Sequence, residues 1–398
     1  MMTSISDKIT FGRGGNARPH QLYGWNVGED GFTWTLRHES ALSLPKPRSI
    51  HGGFVEIMLL PLTRPSGPKC QRVRVRANGE PLGETRLASP ALIGFYFHAQ
   101  SKFDDQFVIT IEHPDRFKQS PEADAPDFAV AVKSIRVLDL QEPLAHSVSG
   151  SSHVWHPDVT MDDQCLIAAA EEVTGFTVHE LMTSFQLVAG DCEFGGVQRA
   201  CGSDPLGLFR FAGASPFSAV EILDSKFDGI GQDLDPYVAE HGNREWMIRD
   251  RRYGLGYHTR MSANEVSREQ VTRAEKRKVS FLCRLFLEEL DARQKIFVCA
   301  DRFDSPPEAM LPLFLALSRY GQNTLLWITR AVSAHQVGSV EEVLPGLMRG
   351  YIDRFTPHAV GSKPSLSGWL SVLTNAWLLN QRSPYPCTAK APEVGFVG

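Results

Sequence analysis

The chain has 398 residues, enough for two or three domains with substantial hydrophobic cores. It is 42% hydrophobic and 22% charged, with a formal net charge of -5, which argues against a general nucleic-acid binder, a class that carries a basic excess. No window approaches 18 uninterrupted apolar residues, so no membrane span is expected.

The opening Met1–Lys8 lacks the apolar core of a signal peptide,. Seven cysteines (70, 165, 192, 201, 283, 299, 387) are scattered and never form Cys-x-x-Cys. That pattern speaks against a disulfide framework and a thiolate metal site. The expectation is a cytoplasmic protein that uses no metal and no cofactor.

Residues 1–20, with Gly12, Gly14, Gly15 and Pro19, read as a flexible lead-in,. From 21 to 142 short apolar or alternating runs recur between turn signals. Arg72-Val-Arg-Val-Arg76 alternates as a half-buried strand does, and Asn78-Gly79 suits a tight hairpin,. About seven or eight such strands without a helix predict an antiparallel β-sandwich or jelly roll.

Within this region Trp25, Glu29-Asp30, Trp34-Thr35, Ala41-Leu-Ser-Leu-Pro45, Val75-x-x-Asn78-Gly79 and Ala131-x-x-Ser134-Ile135 resemble a β-sandwich module attached to bacterial envelope-polysaccharide and glycosyltransferase proteins. The resemblance implies a carbohydrate-binding-like domain. Trp25 and Trp34 could then stack on sugar rings while Glu29 and Asp30 take hydroxyls; the alternative is that both indoles are core anchors.

Residues 143–158 are rich in Ser, Gly and Pro and form the expected linker,. Their histidines, 146, 153 and 156, read as solvated loop residues, since no ligand spacing accompanies them.

Beyond the linker the apolar period changes from 2 to 3.6, and 159–356 reads as an α/β domain. Helices are expected at 162–174, after Ser215-Pro216, at 263–290 and at 307–319. Strands are expected at 185–189, 246–249, 253–259, 295–301 and 323–329, and Val340 to Phe355 completes a strand–helix alternation. Residues 357–398 read as one helix, about 369–379, and a loose tail.

The chemistry-bearing stretch is Phe185-Gln-Leu-Val-Ala-Gly-Asp-Cys192-Glu-Phe-Gly-Gly-Val-Gln-Arg199. It reads as a strand, a turn, and a cysteine at a helix start, where backbone N–H groups and the helix dipole favour a thiolate. His258 closes a Gly-rich strand and could act as base to Cys192; Asp301 ends a strand and could orient the imidazole. Gln186 and the Cys192 N–H are candidate oxyanion donors. Each has a plainer alternative: a packed cysteine, a satisfied histidine, a turn-capping aspartate. Between Arg244 and Lys278 ten Lys/Arg face five Asp/Glu, which reads as the solvated face of a helix rather than a nucleic-acid groove.

Gly190-x-Cys192-Glu193-Phe194-Gly195-x-x-Gln198-Arg199-x-x-Gly202-x-x-Pro205-Leu206-x-Leu208-x-Arg210-Phe211, then Phe227-Asp228-x-Ile230-Gly231, Tyr253-Gly254-Leu255-x-Tyr257-His258 and Tyr320-Gly321-x-Asn323, resemble a bacterial family described as papain-like cysteine peptidases of unknown function. The likeness covers roughly 180–355. It implies Cys192 as nucleophile and His258 as base, with Glu193, Gln198, Arg199 and Arg210 in support; Asp301 is matched by no motif.

The reading is a cysteine-nucleophile hydrolase or acyltransferase acting on an amide or ester of a glycan-linked or peptide substrate. Two alternatives stay open. One is a non-catalytic glycan-binding or interaction protein. The other is a glycan-modifying enzyme using Glu193, Asp228 or Asp301, with Arg199 and Arg210 gripping anionic groups.

Overall fold

A computed structural model describes residues 3–5, 8–62, 69–98, 106–115, 117–118, 127–141, 152–153, 155, 161–210, 212–239, 244–302, 305–332, 335–356 and 363–381. The chain divides into two compact units, Met1–Leu144 with Pro306–Leu315, and Ala145–Ser305 with Ala316–Gly398.

The first unit contains two antiparallel sheets. One is ordered Gln21–Tyr23, Glu39–Leu44, Phe107–Glu112, Gln71–Ala77, Glu80–Leu87; the other is organised around the 14-residue strand Asp127–Leu140, which pairs with Gly53–Pro61. Alternation works as expected on Gln71–Ala77. Val73 and Val75 are fully buried, whereas Arg72, Arg74 and Arg76 point outward to Asp115, Glu84 and Glu112. Asn78 and Gly79 both take positive φ, 48° and 85°, the conformation that a two-residue hairpin turn demands.

Two expectations fail here. The lead-in is not loose from residue 8 onward: Ile9 pairs with Ile135, and Ile9, Phe11 and Ala17 are core residues. Nor does the helix Pro307–Ser318 belong wholly to the second unit. Its 307–315 part lies in the first, where Leu311 and Leu315 join Phe54, Leu138 and Leu140 in one apolar cluster. That cover explains why Gly53–Pro61 is buried on both faces for seven residues and reads as an unbroken apolar run,.

The second unit is α/β. Its six-stranded sheet runs Ser152–His153, Val340–Leu344, Leu347–Ile352, Thr324–Arg330, Ile296–Ala300, Phe185–Ala189, and the last four strands are mutually parallel. A separate antiparallel sheet holds Ala212–Gly213, Gly256–Ser262, Glu245–Asp250 and Leu234–Val238.

Val340 to Phe355 contains no helix. It is a β-hairpin, because Pro345-Gly346 forms the turn, with Gly346 at φ 84°. The linker's far end is also part of the fold. Ser152–His153 pairs with Val340–Glu341, and the Trp155 N–H donates to the Asn375 side chain at 2.6 Å. His146, His156, most of 143–158 and the tail from 382 lie outside the described residues.

The helix starts follow local rules. Asp162, Ser215 and Ser267 cap Asp163–Thr174, Pro216–Asp224 and Arg268–Ala292, the last with a full capping box,. No helix among the described residues is long and apolar enough to cross a membrane.

Candidate functional site

Strand Phe185–Ala189 ends at Gly190, whose φ of 122° and approach to Ala300 (2.6 Å from an added Cβ to its carbonyl oxygen) exclude a side chain,. Cys192 follows as the N-cap of helix Glu193–Ala200, with no side-chain capping bond. It is exposed and lines a cavity of about 810 Å³. Its helix-start position alone would lower the thiol pKa. Partial burial, followed by the Asp191 carboxylate, instead pushes it up, with Arg302 pulling the other way.

His258 lines the same cavity. It stands on strand Gly256–Ser262, and its Nδ1 lies 3.2 Å from Glu245 Oε2 on the paired strand. Glu245 Oε1 accepts the Arg260 N–H at 2.5 Å, with Arg260 at φ 62°. A carboxylate on Nδ1 selects the tautomer that leaves Nε2 as the basic nitrogen. The carboxylate beside the His258 ring is thus Glu245, not Asp301. Neither Cys192 nor His258 makes a hydrogen bond to the other among the described residues.

Asp301 is elsewhere. It is buried, accepts from Ser305 N at 2.5 Å and Ser305 Oγ at 3.0 Å, and takes the Trp327 indole N–H at 3.4 Å. It closes the turn after strand Ile296–Ala300 and does not line the cavity. The sequence signal for Glu245 was weak, because it sits 13 residues before His258 on another strand, and only the hairpin register unites them.

The support residues form the frame of the cavity. Glu193 is buried and fully engaged: Oε1 accepts from Trp369 Nε1 at 2.9 Å, and Oε2 from Thr356 N at 2.8 Å and Arg302 Nη2 at 3.1 Å. Gln198 donates to the Met182 and Phe185 carbonyls and accepts from Arg210 Nε at 3.0 Å. Arg210 pairs with Asp204 and donates to the carbonyls of Ser203, Pro205 and Gly195. Gln186, 2% exposed, donates to the Leu206 carbonyl at 3.3 Å and lies outside the cavity, so it is not an oxyanion donor there. Arg199 is exposed, 3.4 Å from Asp204, and does line the cavity.

Of the carboxylates offered for glycan chemistry, Glu193 and Asp301 are bound up as above, and Asp228 forms a solvent-exposed pair with Arg252 at 3.1 Å outside the cavity. Of the six described cysteines only Cys192 lines this cavity. Burial pushes the Cys201 thiol up to about 11 and Cys283 up to about 12. No group of three or more potential ligands is placed to hold a metal among the described residues.

In the first unit the four expected sugar contacts do not converge. Glu29 and Asp30 line one shallow cavity of about 420 Å³. Trp25 lines another, of about 560 Å³, with Tyr23, Arg37, His38 and Glu39. Trp34 lines neither; its indole N–H donates to Glu29 at 2.9 Å and its ring packs against Phe32 and Phe128. Trp25 is half-buried against Phe11, its N–H on the Ala41 carbonyl at 2.7 Å.

No protein-family model matches the chain, papain-like peptidases included, and no curated protein matches it. Among solved structures it is similar to a family GH115 4-O-methyl-α-glucuronidase with specificity for decorated arabinogalactans (13% identity, 35% of this chain and 18% of that one, TM-score 0.25). It is also similar to a mannan-recognising carbohydrate-binding module (8% identity, 35% and 99%, TM-score 0.23) and to the C-terminal CBM6 module of a laminarinase from Zobellia galactanivorans (14% identity, 33% and 96%, TM-score 0.21). At such scores the likeness carries no argument about what this chain binds.

Proposed function

We propose that the second unit is a thiol-dependent acyl hydrolase or acyltransferase. The observation that carries this is that Cys192 and His258 open on one cavity while Glu245 holds His258 Nδ1. In the proposed reaction the Cys192 thiol gives its proton to His258 Nε2 as sulfur bonds to the substrate carbonyl carbon. Collapse of the tetrahedral species breaks the bond to the leaving group, which takes that proton. Water, or an acceptor hydroxyl or amine, then attacks the thioester with His258 as base and frees Cys192. The raised thiol pKa fits a pair in which the base removes the proton during attack, not a standing thiolate.

Trapping tests it. With p-nitrophenyl acetate, intact-mass spectrometry should show one added acetyl group on Cys192, absent in Cys192→Ala. Acetylation that is unchanged in Cys192→Ala would remove the mechanism and favour the non-catalytic reading.

For the first unit we infer glycan binding at the Tyr23–Trp25 cavity, where Tyr23 is half exposed and planar polar groups Arg37 and Glu39 surround the rings,. Trp25→Ala should abolish any polysaccharide retention seen in affinity electrophoresis; retention equal to wild type would refute that placement.

A further inference from the structure

The cavity beside Cys192 has one extended apolar wall. Leu208, Ile230, Leu255, Val279 and Leu282, all buried, line it from the loop after helix Glu193–Ala200, from the small-sheet region and from the long helix. Two more lining residues, Leu206 and Phe281, are large apolar side chains left 58% and 46% exposed. Exposed large hydrophobics converging on one concavity mark a place where apolar ligand surface is expected.

The polar lining is poorly suited to a sugar. Each lining carboxylate has a protein partner, with Asp250 buried, Glu245 partly buried and the Asp204 side chain 66% exposed. Asp204 is paired with Arg210; Asp250 accepts the backbone N–H groups of Gly231, Arg252 and Tyr253; and Glu245 holds His258 and the Arg260 N–H. Asp250 and Glu245 therefore have little left to offer a ring of hydroxyls, and Asp204 is the lining carboxylate that stays open to solvent. Cations Arg199, Arg260 and Lys278 share the lining with Cys192.

We propose that the ligand of this cavity is a linear acyl chain, its carbonyl end directed to Cys192 and its methylenes lying on the Leu206–Phe281 side. This rests on the cavity being the active site, and adds the substrate class. An acyl chain needs no directional polar partners along its length and gains affinity by area alone. A cavity of about 810 Å³ is within the range of small-molecule sites,.

Isothermal titration of the full chain with hexanoate, octanoate, decanoate and dodecanoate tests it. Kd should fall about fourfold per added methylene, equivalent to about 0.8 kcal/mol each, until the cavity is filled. Leu206→Asp and Phe281→Asp change exposed positions and should keep the wild-type circular dichroism while weakening decanoate by about tenfold or more.

A Kd independent of chain length, no binding at all, or Asp variants that bind like wild type would overturn the proposal. Chain-length dependence together with ester turnover that survives in Cys192→Ala would leave the ligand class standing and remove only the thiol chemistry.

Discussion

The two units expose different surfaces to a ligand. In the first, the candidate residues are spread over two shallow cavities and Trp34 is absorbed by packing. In the second, one cavity of about 810 Å³ gathers a thiol, an imidazole with its carboxylate and an apolar wall. Several of the residues that look most distinctive in the sequence are occupied by the fold itself. Glu193, Gln198 and Arg210 exhaust their hydrogen bonds in holding helix Glu193–Ala200 and the loop Ser203–Pro205 in place. Much of that motif serves to satisfy buried polar groups, and Cys192 lies within it at the edge of the cavity.

The largest effect should come from that frame. Arg210→Met strands Gln198 and three carbonyls and should destabilise the second unit by about 3–5 kcal/mol,. Urea unfolding measures it; a loss under about 1 kcal/mol would mean that the network is not the frame.

Next comes a contrast in pH response. Burial lowers the His113 pKa in the first unit to about 4, whereas burial raises Glu289 in the second to about 7, with Lys295 opposing. A depressed histidine contributes stability above its unfolded value of 6.5 that is lost as pH falls toward 4. A raised carboxylate contributes stability below 4.5 that is lost as pH rises through 7. Each amounts to up to about 3 kcal/mol. Melting His113→Leu and Glu289→Gln between about pH 4 and 8 should flatten the acid limb in the first and the alkaline limb in the second. The same limb affected by both would break the contrast.

Smaller still, Gly79→Ala places a side chain at φ 85° in the first unit's hairpin and should cost about 1 kcal/mol,. A neutral or stabilising change in urea unfolding would contradict the turn assignment. Finally, Arg302 sits 2.7 Å from Asp191 Oδ2 and 3.1 Å from Glu193 Oε2, on either side of Cys192. Arg302→Gln should shift the iodoacetamide alkylation profile of Cys192 to higher pH by removing the cation that favours its thiolate,. An unmoved profile would reduce Arg302 to a structural brace.

Much of this was legible locally. The alternation at Arg72–Arg76, the Asn78-Gly79 turn, the capped helices and the strand–turn–helix at Cys192 all depend on neighbours in sequence. Long-range features were not. Nothing near Pro307 announces that the helix covers a sheet made of residues 53–140, and nothing near Glu245 announces that a hairpin carries it to His258. In the Val340–Phe355 hairpin, Val340–Leu344 is mixed polar and half-buried and Leu347–Ile352 is largely buried, so neither strand carries a clear alternation,. Asp301 takes the plainer of the two roles its sequence allows, bonded to Ser305 four residues on.

The central claim is that Cys192 and His258 act as one pair with Glu245 behind them. Initial rates of p-nitrophenyl decanoate hydrolysis by wild type, Cys192→Ala, His258→Ala and Glu245→Gln test it directly. Either of the first two substitutions should lower kcat/KM by about 10²–10⁴, the double variant no further, and Glu245→Gln by less. Measurable wild-type turnover that is retained in Cys192→Ala or His258→Ala would contradict the account.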